Sequence, residues 1–205
     1  MALEPSSKHP RKILVLGVGN ILLRDEGVGV RVVETLQRNY RYSPNVELMD
    51  GGTLGMRLLD PISRVDFLIV ADAVQKGRKP GTLYRIPLEE VKKGLTFKNS
   101  LHQVDLVESL AFAELLGSRP ETVIIGMEPA DISPWGMELT PQVTRRFHKM
   151  CAMVLEEIKR AGGRFAPRES LAEQSADREE PSKEKGSCAS PYQQKSLKFR
   201  TKWPW

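Results

Sequence analysis

Residues 12–29 read Lys-Ile-Leu-Val-Leu-Gly-Val-Gly-Asn-Ile-Leu-Leu-Arg-Asp-Glu-Gly-Val-Gly. The apolar run Ile13 to Leu16 ends at a glycine, which is typical of a short strand buried on both faces of a sheet. The next apolar residues have the spacing of a helix and are Val28, Val32, Val33 and Leu36. Asp25 and Glu26 therefore lie in a strand-to-helix turn, at the sheet edge where open parallel sheets bind ligands.

The two acids of this turn allow more than one interpretation. Glu26 is a candidate metal ligand, although either acid alternatively caps the helix and meets its positive dipole end. A dinucleotide site is a third possibility, because Gly17 and Gly19 supply the first two glycines of a Gly-x-Gly-x-x-Gly pattern. Its third glycine position holds Leu22, so the helix cannot approach a pyrophosphate as that pattern requires.

Strands and helices alternate along the rest of the chain. This order predicts an α/β three-layer sandwich, with a mostly parallel, twisted sheet of about five strands and helices on both faces. The predicted strands are Ile13 to Leu16, Val46 to Met49, Asp66 to Ala71, Thr82 to Ile86 and Thr122 to Met127. Pro87 indicates an edge position for the fourth of these strands.

Three side chains able to bind a metal fall at comparable places in this topology. Glu26 follows the first strand and Asp72 ends the third. His102 lies in the first turn of a long helix, within the capping box Ser100-Leu101-His102-Gln103. A right-handed doubly wound sheet brings such loops to one edge. Two carboxylates and an imidazole suit nickel, zinc or manganese and leave coordination positions open. The alternatives are that Asp72 bonds loop amides and that His102 is an ordinary first-turn residue.

Five separated segments together resemble one known family. They are Gly17 to Gly29, Asp50-Gly51-Gly52-Thr53, Ala71-Asp72-Ala73, Ser100-Leu101-His102 and Gly126-Met127-Glu128-Pro129. In order and spacing they are similar to the hydrogenase maturation proteases, over roughly residues 12–161. The resemblance implies an α/β endopeptidase that removes a C-terminal peptide from the [NiFe]-hydrogenase large-subunit precursor once nickel is inserted.

The resemblance also implies the site residues. Glu26, Asp72 and His102 match the metal-site residues of the family. We expect nickel, carried by the precursor, to gain these ligands, with other divalent ions able to substitute, and we expect Glu26 or Asp72 to act in catalysis as a general base. Gly51 and Gly52 are candidates for the substrate groove, a simple turn being the alternative.

The sequence also allows two other functions. A non-catalytic nickel-binding maturation chaperone would use the same three ligands but leave the precursor uncut. A nucleotide-binding oxidoreductase would need to bind a nicotinamide cofactor despite Leu22 and the acidic turn. A cysteine nucleophile is disfavoured, because Cys151 lies on the apolar side of the last predicted helix.

The chain as a whole has 205 residues and a net charge of +5. We predict a flexible leader at 1–11, the α/β domain at 12–161 and a disordered basic tail at 162–205. Nine of the 31 basic and six of the 26 acidic residues lie in that tail, so +3 of the charge belongs to it and nucleic-acid binding is not implied. Two cysteines, no apolar leader and no long apolar stretch predict a cytoplasmic protein without a membrane partner.

Overall fold

The structure is a computed structural model that describes residues 10–53, 55–92, 101–133 and 135–168. Its strands are β1 (Ile13–Val18), β2 (Tyr40–Tyr42), β3 (Val46–Gly52), β4 (Phe67–Ala73), β5 (Leu83–Pro87), β6 (Glu121–Met127) and β7 (Phe165–Pro167). Its α-helices are α1 (Val28–Asn39), α2 (Leu59–Ser63), α3 (Leu88–Lys92), α4 (Leu101–Leu115) and α5 (Pro141–Arg160). Single turns of 3₁₀ helix span Arg24–Gly27 and Gly55–Leu58.

Five strands form the central sheet in the order β3-β1-β4-β6-β5. The first four are parallel, and β5 pairs antiparallel with β6 at the edge of the sheet. This confirms the predicted α/β class, the number of strands and the edge position before Pro87. The strands run up to three residues further toward their carboxyl ends than predicted, so Asp72 lies inside β4.

Both faces of the sheet are buried. Every residue of β1 and β4 is buried, as their unbroken apolar runs predict. On one face, Ile13 and Val15 share a core with residues of α1 and α5. On the other face, Leu14 and Leu16 share a core with residues of α2 and α4. The alternation of successive side chains thus builds a three-layer sandwich.

A second, two-stranded sheet was not predicted. In it β2 pairs antiparallel with β7, and the Phe165 ring packs edge-on against Tyr40 with 5.3 Å between centroids. The described structure therefore continues to Arg168, past the expected domain boundary at 161. The reason is that Phe165 buries apolar surface beside residues of β2, which repays the ordering of this short segment. Residues 1–9 of the predicted leader at 1–11, and residues 169–205 of the predicted tail, lie outside the described residues.

In the part of the chain that the structure describes, no helix is both long and apolar enough to cross a membrane.

Candidate active site

Glycines allow the turn that carries Glu26 to pack closely against the residues that follow β1. Gly19 has φ +130°, and a Cβ atom there would stand 1.9 Å from the carbonyl oxygen of Glu26. A Cβ at Gly27 would stand 2.6 Å from the Cα of Ile21. These glycines therefore permit a close approach between two parts of the same loop. Of the two, only Gly19 belongs to the Gly-x-Gly-x-x-Gly pattern, which would use it for a pyrophosphate.

The start of α1 is packed just as closely on the sheet. A Cβ at Gly29 would stand 2.1 Å from the carbonyl oxygen of Ala71 in β4 and 2.5 Å from that of Val18. No side chain can fit between α1 and the carboxyl ends of these strands. As a result, the turn Arg24–Gly27, with the half-buried Glu26, contacts β4.

Asp72 lies near the carboxyl end of β4, between β1 and β6. Its side chain is 2% exposed, and its Oδ1 accepts a hydrogen bond of 2.8 Å from the backbone N–H of Ala73. The structure therefore puts Asp72 on the strand that the Glu26 turn contacts, in agreement with the predicted topology.

His102 lies in the first turn of α4, as its position within the predicted capping box indicates. Its side chain is outside the described part of the structure, so its place in a three-ligand set stays a prediction. Among the side chains that the structure does describe, no group of three or more His, Cys, Asp or Glu could hold a metal ion. The predicted set reaches three ligands only with His102.

Gly51 and Gly52 end β3 beside the carboxyl end of β1. A Cβ at Gly51 would stand 2.7 Å from Cδ1 of Leu16. Gly52 has φ +42°, and its carbonyl accepts a hydrogen bond of 3.0 Å from the N–H of Gly19. Both glycines thus have a packing role at the candidate site, and their role in a substrate groove stays a prediction.

Asp25 has a structural role that the sequence did not reveal. Its carboxylate is fully buried and accepts hydrogen bonds from the N–H groups of Ala130 (2.8 Å), Asp131 (3.1 Å) and Thr140 (2.8 Å), and from the Thr140 hydroxyl (2.8 Å). It does not cap α1, one of the alternatives considered above. Instead, it fixes the Glu26 turn to the loop before α5.

Glu128 performs a similar task at the end of β6. Its buried carboxylate accepts hydrogen bonds from the N–H groups of Lys76 and Gly77 and from the Tyr84 hydroxyl. Burial, with the carboxylate of Glu128 next in importance, raises the pKa of Tyr84. Glu128 therefore holds the loop after β4, and its place in the sequence, directly after a strand, was the only signal of such a task.

Cys151 is unsuited to act as a nucleophile. It is buried on the core side of α5, and burial raises the pKa of its thiol to about 11. The thiolate is the reactive form of cysteine, so this residue is inert near neutral pH. The expectation that Cys151 is a core residue is confirmed.

Comparison with known proteins now decides the family. A family model described as hydrogenase maturation protease matches residues 30–157. The chain belongs to the hydrogenase maturation protease family. Among curated members, it is 44% identical over 153 residues to the hydrogenase expression/formation protein HupD of Thiocapsa roseopersicina, covering 74% of this chain and 69% of HupD.

Two further matches extend over almost the whole length of the related chain. The hydrogenase 2 maturation protease of Escherichia coli strain K12 is 41% identical over 162 residues, which are 78% of this chain and 98% of that protein. The solved structure of the hydrogenase maturating endopeptidase HybD from E. coli matches with a TM-score of 0.72 and 41% identity, over 77% of this chain and 98% of that chain. The family resemblance inferred from five sequence segments is confirmed, as is the fold of the protease.

Proposed function

We propose that this maturation protease removes the C-terminal extension of a [NiFe]-hydrogenase large-subunit precursor after nickel insertion, and that it recognises the bound nickel. Membership of the protease family supports the proteolytic activity. One structural observation carries the site: the Glu26 turn is held in contact with β4, which bears the buried Asp72. A cytoplasmic location, where such a precursor would be met, remains a prediction.

The proposed chemistry uses nickel as part of the substrate. Nickel held by precursor cysteines would gain Glu26, Asp72 and His102 as outside ligands and so dock the scissile bond at the carboxyl edge of the sheet. Two carboxylates and a neutral imidazole fit such a borderline ion. Glu26 or Asp72 would also accept the proton from the attacking water. Cys151, with its raised thiol pKa, supports a mechanism without a thiol nucleophile.

The ligand assignment is tested with three variants: Glu26→Gln, Asp72→Asn and His102→Ala. Each is incubated with nickel-loaded precursor, and the initial rate of cleavage is measured by intact mass. We expect each rate to fall about 100-fold or more, because a general base contributes about 100- to 10,000-fold to a rate and all three variants remove a proposed nickel ligand. Glu34→Gln on α1 and His148→Ala on α5 are matched controls, because both side chains are exposed on helix surfaces.

The outcomes separate the candidate functions. Undiminished cleavage by the three variants would contradict the ligand assignment. A precursor that stays uncut with the unaltered protein, while the protein alone binds nickel tightly, would favour the nickel chaperone over the protease. Melting temperatures of all variants show whether a lost rate reflects unfolding.

A further inference from the structure

Three large apolar side chains are exposed beside the Glu26 turn. Leu22 is 46% exposed, Met137 58% and Trp135 86%. They flank a parallel backbone bridge between Leu23 and Gly136, with hydrogen bonds from the N–H of Arg24 to the carbonyl of Gly136 (2.7 Å) and from the N–H of Gly136 to the carbonyl of Leu22 (3.1 Å). We call Leu22, Trp135 and Met137 the apolar platform.

Hydrogen bonds and an ion pair hold the backbone of the platform in place. The Arg31 guanidinium donates a hydrogen bond to the carbonyl of Met137, and Arg24 pairs with Asp131 at 3.2 Å. The buried Asp25 carboxylate holds the same loop at three backbone N–H groups. The backbone that carries these exposed apolar groups is therefore held in place, so little conformational entropy is lost when a partner covers them.

The backbone at the platform also includes two strained residues. Arg24 and Trp135 both have positive φ, 53° and 69°, although neither is glycine. Such a conformation is unfavourable for a residue other than glycine and persists only where surrounding contacts enforce it. At Gly136 a Cβ would stand 2.6 Å from Cγ of Arg24, so a larger residue there would require the arginine side chain to move. The chain maintains this arrangement although it leaves a tryptophan in water.

The platform is continuous with the candidate active site. Leu22 and Glu26 belong to one loop, whose turn Arg24–Gly27 contacts β4, the strand that carries Asp72. A metal ion makes no use of exposed apolar side chains, whereas protein interfaces are enriched in Trp and Met. Arg24 is paired with Asp131, and Arg31 donates to the carbonyl of Met137. The three side chains of the platform are themselves apolar, so we expect the partner to contact them through apolar rather than charged groups.

We propose that the apolar platform is the docking surface for an apolar patch on the folded hydrogenase large-subunit precursor, beside the bond to be cut. This inference rests on the proposed function. It assigns substrate affinity to Leu22, Trp135 and Met137, apart from the ligands that hold the nickel. Burial of an aromatic side chain at the centre of an interface supplies much of the affinity of a complex.

Steady-state cleavage of nickel-loaded precursor tests the proposal. In Trp135→Ala we expect KM to rise about 10-fold or more while kcat stays within about twofold, because a docking contact is equally present before and during the reaction. Leu22→Ala is the second variant and should raise KM in the same direction. Leu115→Ala at the far end of α4 is the matched control, since Leu115 is 82% exposed and should leave KM unchanged.

Salt dependence and self-association complete the test. The ratio of variant to unaltered KM should be the same at about 0.05 M and 0.5 M NaCl, because an apolar contact is not screened as an ionic contact is. An unchanged KM in both variants overturns the proposal, and a sedimentation change without a KM change assigns the platform to a second copy of the chain and also overturns it. If the unaltered protein does not cut the precursor, the proposed function fails instead.

Discussion

At the scale of the residue, Asp25 and Glu26 are neighbours in very different surroundings. Asp25 is fully buried and has four hydrogen-bond donors, whereas Glu26 is half-buried in a turn that contacts β4. A carboxylate with that many donors is committed to structure, because any other ligand would have to displace them. Of the two neighbouring acids, Glu26 is therefore the one that we propose as a metal ligand.

Asp25→Ala tests the structural role of this acid. The change leaves the backbone N–H groups of Ala130, Asp131 and Thr140 without their acceptor. We expect the free energy of unfolding to fall by about 3 kcal/mol or more, measured by urea denaturation. Asp60→Ala is the control: its ion pair with Arg64 is exposed, so we expect a loss within about 0.5 kcal/mol. Equal losses of unfolding free energy in the two variants would contradict the structural role of Asp25.

Cys151 gives a prediction about pH. Burial raises its pKa from 9.0 to about 11, so between these values the unfolded chain ionises this thiol and the folded chain does not. Its contribution to stability is complete below pH 9 and is lost as the pH rises toward 11. The difference in unfolding free energy between the unaltered protein and Cys151→Ala should therefore fall by about 1–2 kcal/mol from pH 8 to pH 10.5.

The same variant checks the chemistry. Cys151→Ala should cut the precursor at the unaltered rate near neutral pH, since the thiol is neutral and faces the core. Loss of cleavage in a variant that still melts cooperatively would show that the thiol takes part in the reaction.

At the scale of the element, the contact between α1 and the sheet sets where the Glu26 turn lies. The helix begins at Val28, and its second residue, Gly29, is in contact with backbone carbonyls of two strands. A backbone carbonyl cannot rotate away as a side chain can. The glycine-rich sequence that resembles a nucleotide-binding loop thus serves to bring a helix, and the acid before it, against the carboxyl ends of the strands.

Gly29→Ala should therefore separate α1 from β4. We expect the free energy of unfolding to fall by about 3 kcal/mol or more, because the added methyl group overlaps backbone atoms of Ala71 and Val18. Gly77→Ala is the control: it has open space around its Cβ but φ +70°, so only about 1 kcal/mol of left-handed strain is expected. A Gly29→Ala loss no larger than the control would show that α1 adjusts freely.

At the scale of the whole molecule, the sheet was predictable because its three central strands, β1, β4 and β6, contain continuous apolar runs followed by turns or helices. The small β2-β7 sheet was not, since three-residue strands carry too short a pattern and pair residues more than 120 positions apart. Asp25 was ambiguous for the same reason: its donors lie 105 to 115 residues away. The topology did predict that Glu26 and Asp72 lie toward one edge.

The function could be predicted from the sequence only by combining several separated motifs. No single segment distinguishes a metal-binding turn from a nucleotide loop, because both need glycines after a buried strand. The five segments in order indicated the family, and the comparisons confirmed it. Exposure of Trp135 depends on the bridge between two loops, so it could not be inferred from sequence.

The most direct test of the account compares the same precursor with and without nickel. Purified large-subunit precursor, loaded or nickel-free, is incubated with the unaltered protease, and the mass of the intact precursor is followed over time. The account predicts loss of one C-terminal peptide from the nickel-loaded form and, in the same period, no change in the nickel-free form. Equal rates of cleavage for both forms would contradict it.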